Sequence, residues 1–148
     1  MAVTCNWFKL GLKHIVNGDV LWKATDGSTV KCALLTDSAT IAQDTNEVWS
    51  DLSANEVSGT GYTAGGASLT LSDPASGSGS HQIKLDATDA QWTITGTLAA
   101  AAQYAVIYGG ASSHVLGWVD FDTTPLNPTN STMTITWDAN GILTLTAS

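Results

Sequence analysis

Three histidines, two cysteines and two close pairs of aspartates are the residues of this chain that could do chemistry. The histidines His14, His81 and His114 fall in three different segments. Zinc sites draw on cysteines and histidines at short paired spacings, and no such pair occurs. Cys5, His14 and Cys32 are the set that folding could still gather around an ion. The plainer reading is a helix-face histidine and two small buried sulfurs. Asp86 with Asp89, and Asp120 with Asp122, could act as acid and base or hold calcium. Asp120-Phe121-Asp122 places both carboxylates on one side of a strand. Neither pair matches the twelve-residue calcium loop, and a solvated strand end explains them more simply. A Gly-x-Ser-x-Gly nucleophile elbow does not occur. The expectation is a chain with no catalytic residue, no cofactor and no metal.

The most distinctive stretch runs from Asn55 to Gly66 and carries Gly59, Gly61, Gly65 and Gly66 around Tyr62. Glycine-rich loops can cradle phosphate. The phosphate loop requires a lysine after its last glycine, and Ala67-Ser68 stand there instead. The dinucleotide loop requires Gly-x-Gly-x-x-Gly, and Gly65 comes one residue late. Glycine also serves where the backbone takes positive φ or approaches another backbone closely. The stretch therefore reads as a shaped structural loop, closing on its own sheet or on a neighbouring subunit.

The balance of 13 Asp+Glu against 5 Lys+Arg makes the chain acidic, and all five basic residues are lysines. Arginine is the usual bidentate reader of phosphate and guanine. Its absence with net negative charge argues against nucleic acid and against anionic membranes. Only 12% of residues are charged, about half the usual fraction. Low charge with many threonines suits all-β proteins, extracellular or virion proteins, and subunits that bury much surface in an assembly. The segment Met1 to Trp7 lacks a basic, apolar leader, so synthesis without export is expected. Cys5 and Cys32 then read as free thiols, although a later bridge between them stays open.

These residues must be positioned mainly by strands. Phe8, Leu12, Ile15 and Val16 follow helical spacing within Thr4–Gly18, ahead of an Asn17-Gly18 stop. Residues 1–18 thus form an N-terminal helix or an extended arm, and an arm could be exchanged between subunits. Val48–Leu52 reads as a helical turn. Strands are expected over 30–34, 67–72, 81–87, 91–95, 103–108 and 114–121. Tyr104–Tyr108 is apolar on both faces, which predicts a central strand covered on both sides. Ser131–Trp137 alternates cleanly, and Asp138–Gly141 predicts a hairpin turn to Ile142–Thr146. The fold class is a single all-β domain over 1–148, a β-sandwich or barrel-like antiparallel fold.

Six tryptophans remain to be placed. Trp92 and Trp137 sit on the apolar faces of their strands and read as core. Trp7, Trp22 and Trp49 lie outside the alternating strands and read as interface residues, since aromatics concentrate at hot spots. With Glu56 and Tyr62 of the glycine stretch they make the candidate interface set.

Val30–Thr36, Trp49–Gly66, Tyr104–Tyr108, Leu116–Phe121 and Thr136–Ile142 carry a further signal. In this order they resemble small structural proteins of tailed bacteriophages, Trp49–Gly66 being the specific part. The resemblance runs from about residue 30 to the C-terminus. It implies a non-enzymatic virion component of the head. The expected role is capsid decoration, in which a homo-oligomer, a trimer favoured, binds the major capsid protein on the outer shell and stabilises the mature head. Assembly in the host bacterial cytoplasm follows. The alternative is a tail or head-fibre component that binds a host surface glycan through exposed aromatics.

Overall fold

The computed structural model describes residues 2–122 and 124–147. Among these residues, eleven strands and one short α-helix form an all-β, sandwich-like fold. The strands are β1 Ala2–Val3, β2 Asn6–Trp7, β3 Val30–Leu35, β4 Ala67–Leu69, β5 Ala75–Ser76, β6 Gln82–Leu85, β7 Ala90–Thr97, β8 Tyr104–Gly109, β9 His114–Asp120, β10 Thr129–Trp137 and β11 Leu143–Thr146. They make a five-stranded sheet in the order β2-β9-β8-β3-β4 and two three-stranded sheets, β1-β10-β7 and β11-β6-β5. Every pairing is antiparallel except β1 with β10.

The central strand expected at Tyr104–Tyr108 is β8, between β9 and β3. Its two faces serve two cores. Ala105 and Ile107 join Cys32, Leu34 and Leu116 against Trp92, Ile94, Met133, Ile135 and Trp137 of the smaller β1-β10-β7 sheet. Val106 and Tyr108 face Phe8, Ala39 and Leu52. This second core lies beneath the N-terminal helix and the connection after β3, which carries the single-turn 3-10 helices Trp49–Asp51 and Ser53–Asn55. Simple alternation along β9 would put Val115 with Val119 and Leu116 with Trp118. A bulge changes that: Tyr108 pairs with Val115 and Ile107 with Gly117, which leaves Leu116 as the extra residue. Leu116 and Val119 therefore share the main core, while Val115 and Trp118 face the other way.

The N-terminal segment is arm and helix in succession. Residues 2–7 are extended along the chain's own sheets, with Cys5 N–H donating to Ile142 O at 2.8 Å. The helix α1 then spans Lys9–Asn17 and ends on Gly18 in the left-handed conformation. Its inner face differs from the apolar stripe. Gly11 and His14 are buried, while Val16 is 76% exposed. Gly11 sets this rotation, because a Cβ there would overlap Val115 O and lie 2.6 Å from Leu116 Cα. The missing side chain lets the helix backbone rest directly on β9.

The predicted terminal hairpin is corrected. Its turn forms, with Gly141 N–H bonded to Asp138 O at 2.8 Å. The strands on either side do not pair: β10 joins β7, and β11 joins β6. The place beside the end of β10 is taken by β1, where Asp138 N–H donates to Val3 O at 2.9 Å. Ile142 instead donates to Leu85 O and turns the chain into the third sheet.

Candidate functional site

The glycine stretch is a seam between two sheets. Its start extends the β3 edge beyond β4, through Thr36 N–H to Asn55 O and Val57 N–H to Leu34 O. Residues 58–60 then cover the outer edge of β7, where Thr95 N–H donates to Thr60 O and Ala99 N–H to Ser58 O. Gly61 and Gly66 make the crossing possible. Both have positive φ, and a Cβ would overlap Thr93 O at Gly61 and Cys32 O at Gly66. The shaped structural loop expected from the sequence closes on its own sheets.

Three side chains lock it. Tyr62 hydroxyl donates to Glu56 Oε1 at 2.8 Å and accepts Leu34 N–H at 3.0 Å. Gly65 N–H donates to the same carboxylate oxygen at 2.7 Å, and Tyr108 hydroxyl donates to Gly65 O at 2.6 Å. Burial pushes the Tyr62 phenol far above its ordinary value and that of Tyr108 up to about 12, so both stay protonated donors. Loss of the proton would put a phenolate beside Glu56.

The interface set is thereby reduced. Glu56 and Tyr62 turn their polar atoms inward. Trp22 is a core residue, 4% exposed, with its indole N–H on Asp86 O at 3.0 Å, and this removes it from any accessible surface. Trp7 is half-buried and donates to Thr144 O at 2.9 Å. Trp49 is half-buried and stacks on Tyr108, with ring centroids 4.6 Å apart and planes 4° from parallel. Trp92 and Trp137 are core, as their strands predict.

The reactive residues separate in a way that spacing did not reveal. Cys5 and Cys32 lie in the main core as free thiols, and burial raises both well above the ordinary thiol value. His14 is elsewhere, on the inner face of α1, so the Cys5–His14–Cys32 set does not assemble. Asp86 and Asp89 serve separate backbone amides, of Ala87 and Trp137. Asp120 accepts Asp122 N–H at 2.8 Å and closes a turn at the end of β9.

What folding does assemble is His14 with Asp19, Glu47 and His114. His14 Nδ1 lies 2.7 Å from Asp19 Oδ2 and Nε2 lies 2.8 Å from Glu47 Oε1. A carboxylate only accepts, so both contacts are hydrogen bonds when both ring nitrogens carry protons. In that doubly protonated form the ring would have no lone pair for general-base work. The His14 contact lowers the Asp19 carboxyl below its ordinary value. His114 stacks on His14, centroids 3.5 Å apart. Its Nδ1 is buried without a partner among the described residues. Helix α1 supplies His14, the turn after Gly18 supplies Asp19, and the residues around Glu47 run beside the start of β9, which supplies His114. The sequence signal was a lone histidine three residues after Gly11, on the helix's inner face. Nothing in the spacing pointed to Glu47.

A third feature lies on β10. Trp137 N–H points toward β7, to Asp89 Oδ1 at 3.1 Å, and Asp138 N–H points to the β1 side. Alternation then directs the backbone groups of Thr132 and Thr134 away from β7. On that side, among the described residues, β1 pairs with Thr136 and Trp137 alone. Beside the uncovered part runs a groove of about 410 Å³, lined by Val3, Phe121, Leu126, Pro128, Met133 and Ile135 among others, none of them charged. Comparison with known protein families, with curated proteins and with solved structures finds no match for the chain.

Proposed function

We propose that this chain is a non-enzymatic structural protein of a bacteriophage virion. It decorates the outer capsid surface, binds the major capsid protein and stabilises the mature head, and it does so as a homo-oligomer. The resemblance carried by Trp49–Gly66 supports the virion reading. The structural observation that supports it best is the uncovered edge of β10 beside its uncharged groove. An edge that offers backbone donors and acceptors, and has no charge to repel a neighbour, suits strand addition by another polypeptide. It is poorly suited to nucleic acid or to a charged small substrate. The partner that fits is an extended, uncharged segment of the capsid subunit. The glycine seam serves this role indirectly, by holding the two sheets in one rigid frame.

A ligand that binds only one state stabilises that state by mass action. The purified protein is therefore expected to bind expanded, undecorated capsids at micromolar concentration and to raise their resistance to heat. Failure to co-sediment with such shells would remove the proposal. Cryo-electron microscopy of the virion gives the complementary test: regular density over the capsid lattice is expected, and density confined to the tail or a fibre would contradict it.

A further inference from the structure

The histidine–carboxylate cluster at the end of α1 has more donors than the folded chain itself uses. One nitrogen of His14, one of His114 and a carboxylate oxygen of Asp19 lie within 4.8 Å of one another. Glu47 stands against the second nitrogen of His14. His114 Nδ1 is buried with no hydrogen-bond partner among the described residues, and a buried polar atom ordinarily has one. Imidazole and carboxylate together suit borderline transition-metal dications, and two carboxylates match a charge of two. Calcium and magnesium take oxygen ligands and would find only part of a shell here.

The geometry points to a zinc site in which His14, His114 and Asp19 supply ligands and Glu47 orients His14. Zinc binds nitrogen and oxygen at about 2.0–2.2 Å. An ion between His14 Nδ1 and Asp19 Oδ2 therefore takes the place of the shared proton and spreads that 2.7 Å contact. Asp19 can give way, because its side chain is 46% exposed on the turn after Gly18. His114 must also turn. Stacked rings within 15° of parallel hold their lone pairs side by side, and rotation about Cβ–Cγ brings one of them onto the ion. The bound ion would pin the C-terminal end of α1 to the start of β9.

The test uses the full chain, stripped with a chelator and titrated with zinc by calorimetry, with cobalt absorption as the readout of coordination. One saturable site per chain is expected, together with visible cobalt bands and a raised melting temperature. Asp19→Asn and His114→Phe should each weaken zinc by about tenfold or more, and the phenyl ring keeps the stack on His14 so that the variant still folds. His81→Ala removes an exposed histidine remote in sequence and should change nothing. Absence of saturable binding, unchanged affinity in both cluster variants, or loss on His81→Ala would each overturn the assignment and leave the cluster an ion-pair network.

Discussion

Tyr62 uses one hydroxyl twice, as donor to Glu56 and as acceptor from Leu34 N–H. Tyr62→Phe leaves that amide and the carboxylate each short of a partner in a partly buried place. The expected cost is about 1–3 kcal/mol of unfolding free energy, read from urea denaturation. Glu56→Ala should cost a similar amount, and the double variant less than the sum, because both substitutions break one network. Asp51 shows the same logic at the surface. Its Oδ2 accepts Glu47 N–H at 2.9 Å and Val48 N–H at 3.1 Å, and these bonds lower its carboxyl below the ordinary value of 3.8. A depressed folded value means that the contribution is present above the unfolded value and is lost as pH falls through the folded one. Stability should thus decline as pH drops below about 4, and Asp51→Asn should flatten that part of the profile. An unchanged slope in the variant would remove Asp51 from the acid sensitivity.

Gly11 decides how α1 meets the sheet. Alanine normally favours a helix over glycine by about 1 kcal/mol, yet here its methyl would enter the backbone of β9. Gly11→Ala is expected to lower stability by a net ~1–3 kcal/mol in thermal unfolding, since overpacking outweighs propensity. Gly66→Ala should cost more, because it combines the overlap with Cys32 O with a φ of 78°. Elements of this kind mark the boundary of what the sequence made legible. The two-faced β8 and the alternation of β10 were readable, because side-chain period reports burial directly. The rotation of α1 was not, since the stripe of Phe8, Leu12, Ile15 and Val16 competes with a close approach that only the partner strand reveals. The Leu116 bulge and the divided terminal hairpin escaped for a related reason. Each depends on which strand lies alongside, β8 in one case and β1 in the other. His14 was visible as a residue. Its carboxylate Glu47 and its stacking partner His114 come from segments that only the tertiary fold brings near it.

The whole molecule is acidic, with a formal charge of −8, which gives a net repulsion between its copies. The β10 edge is an exception, because Thr129–Trp137 contains no charged residue. The edge strands β2, β4, β5 and β11 are two to four residues long, too short to template much pairing. The edge of β7 is already covered by the glycine seam. Natural proteins protect long flat edges with lysine, proline or bulges. β10 has a bulge only at its start, between Thr129 and Ser131, and leaves the stretch through Ile135 open. An open edge kept free of charge is the arrangement expected where a partner strand must add. The double substitution Thr132→Lys, Thr134→Lys installs the missing protection. Both side chains are exposed, so unfolding free energy should move by no more than about 0.5 kcal/mol per site. Binding to expanded, undecorated capsids should fall by at least about tenfold, since two cations would have to be buried against an uncharged segment. If the lysine variant folds normally and still saturates those shells at wild-type concentration, contact with the capsid runs through another face, and the half-exposed rings of Trp7 and Trp49 become the next surface to change.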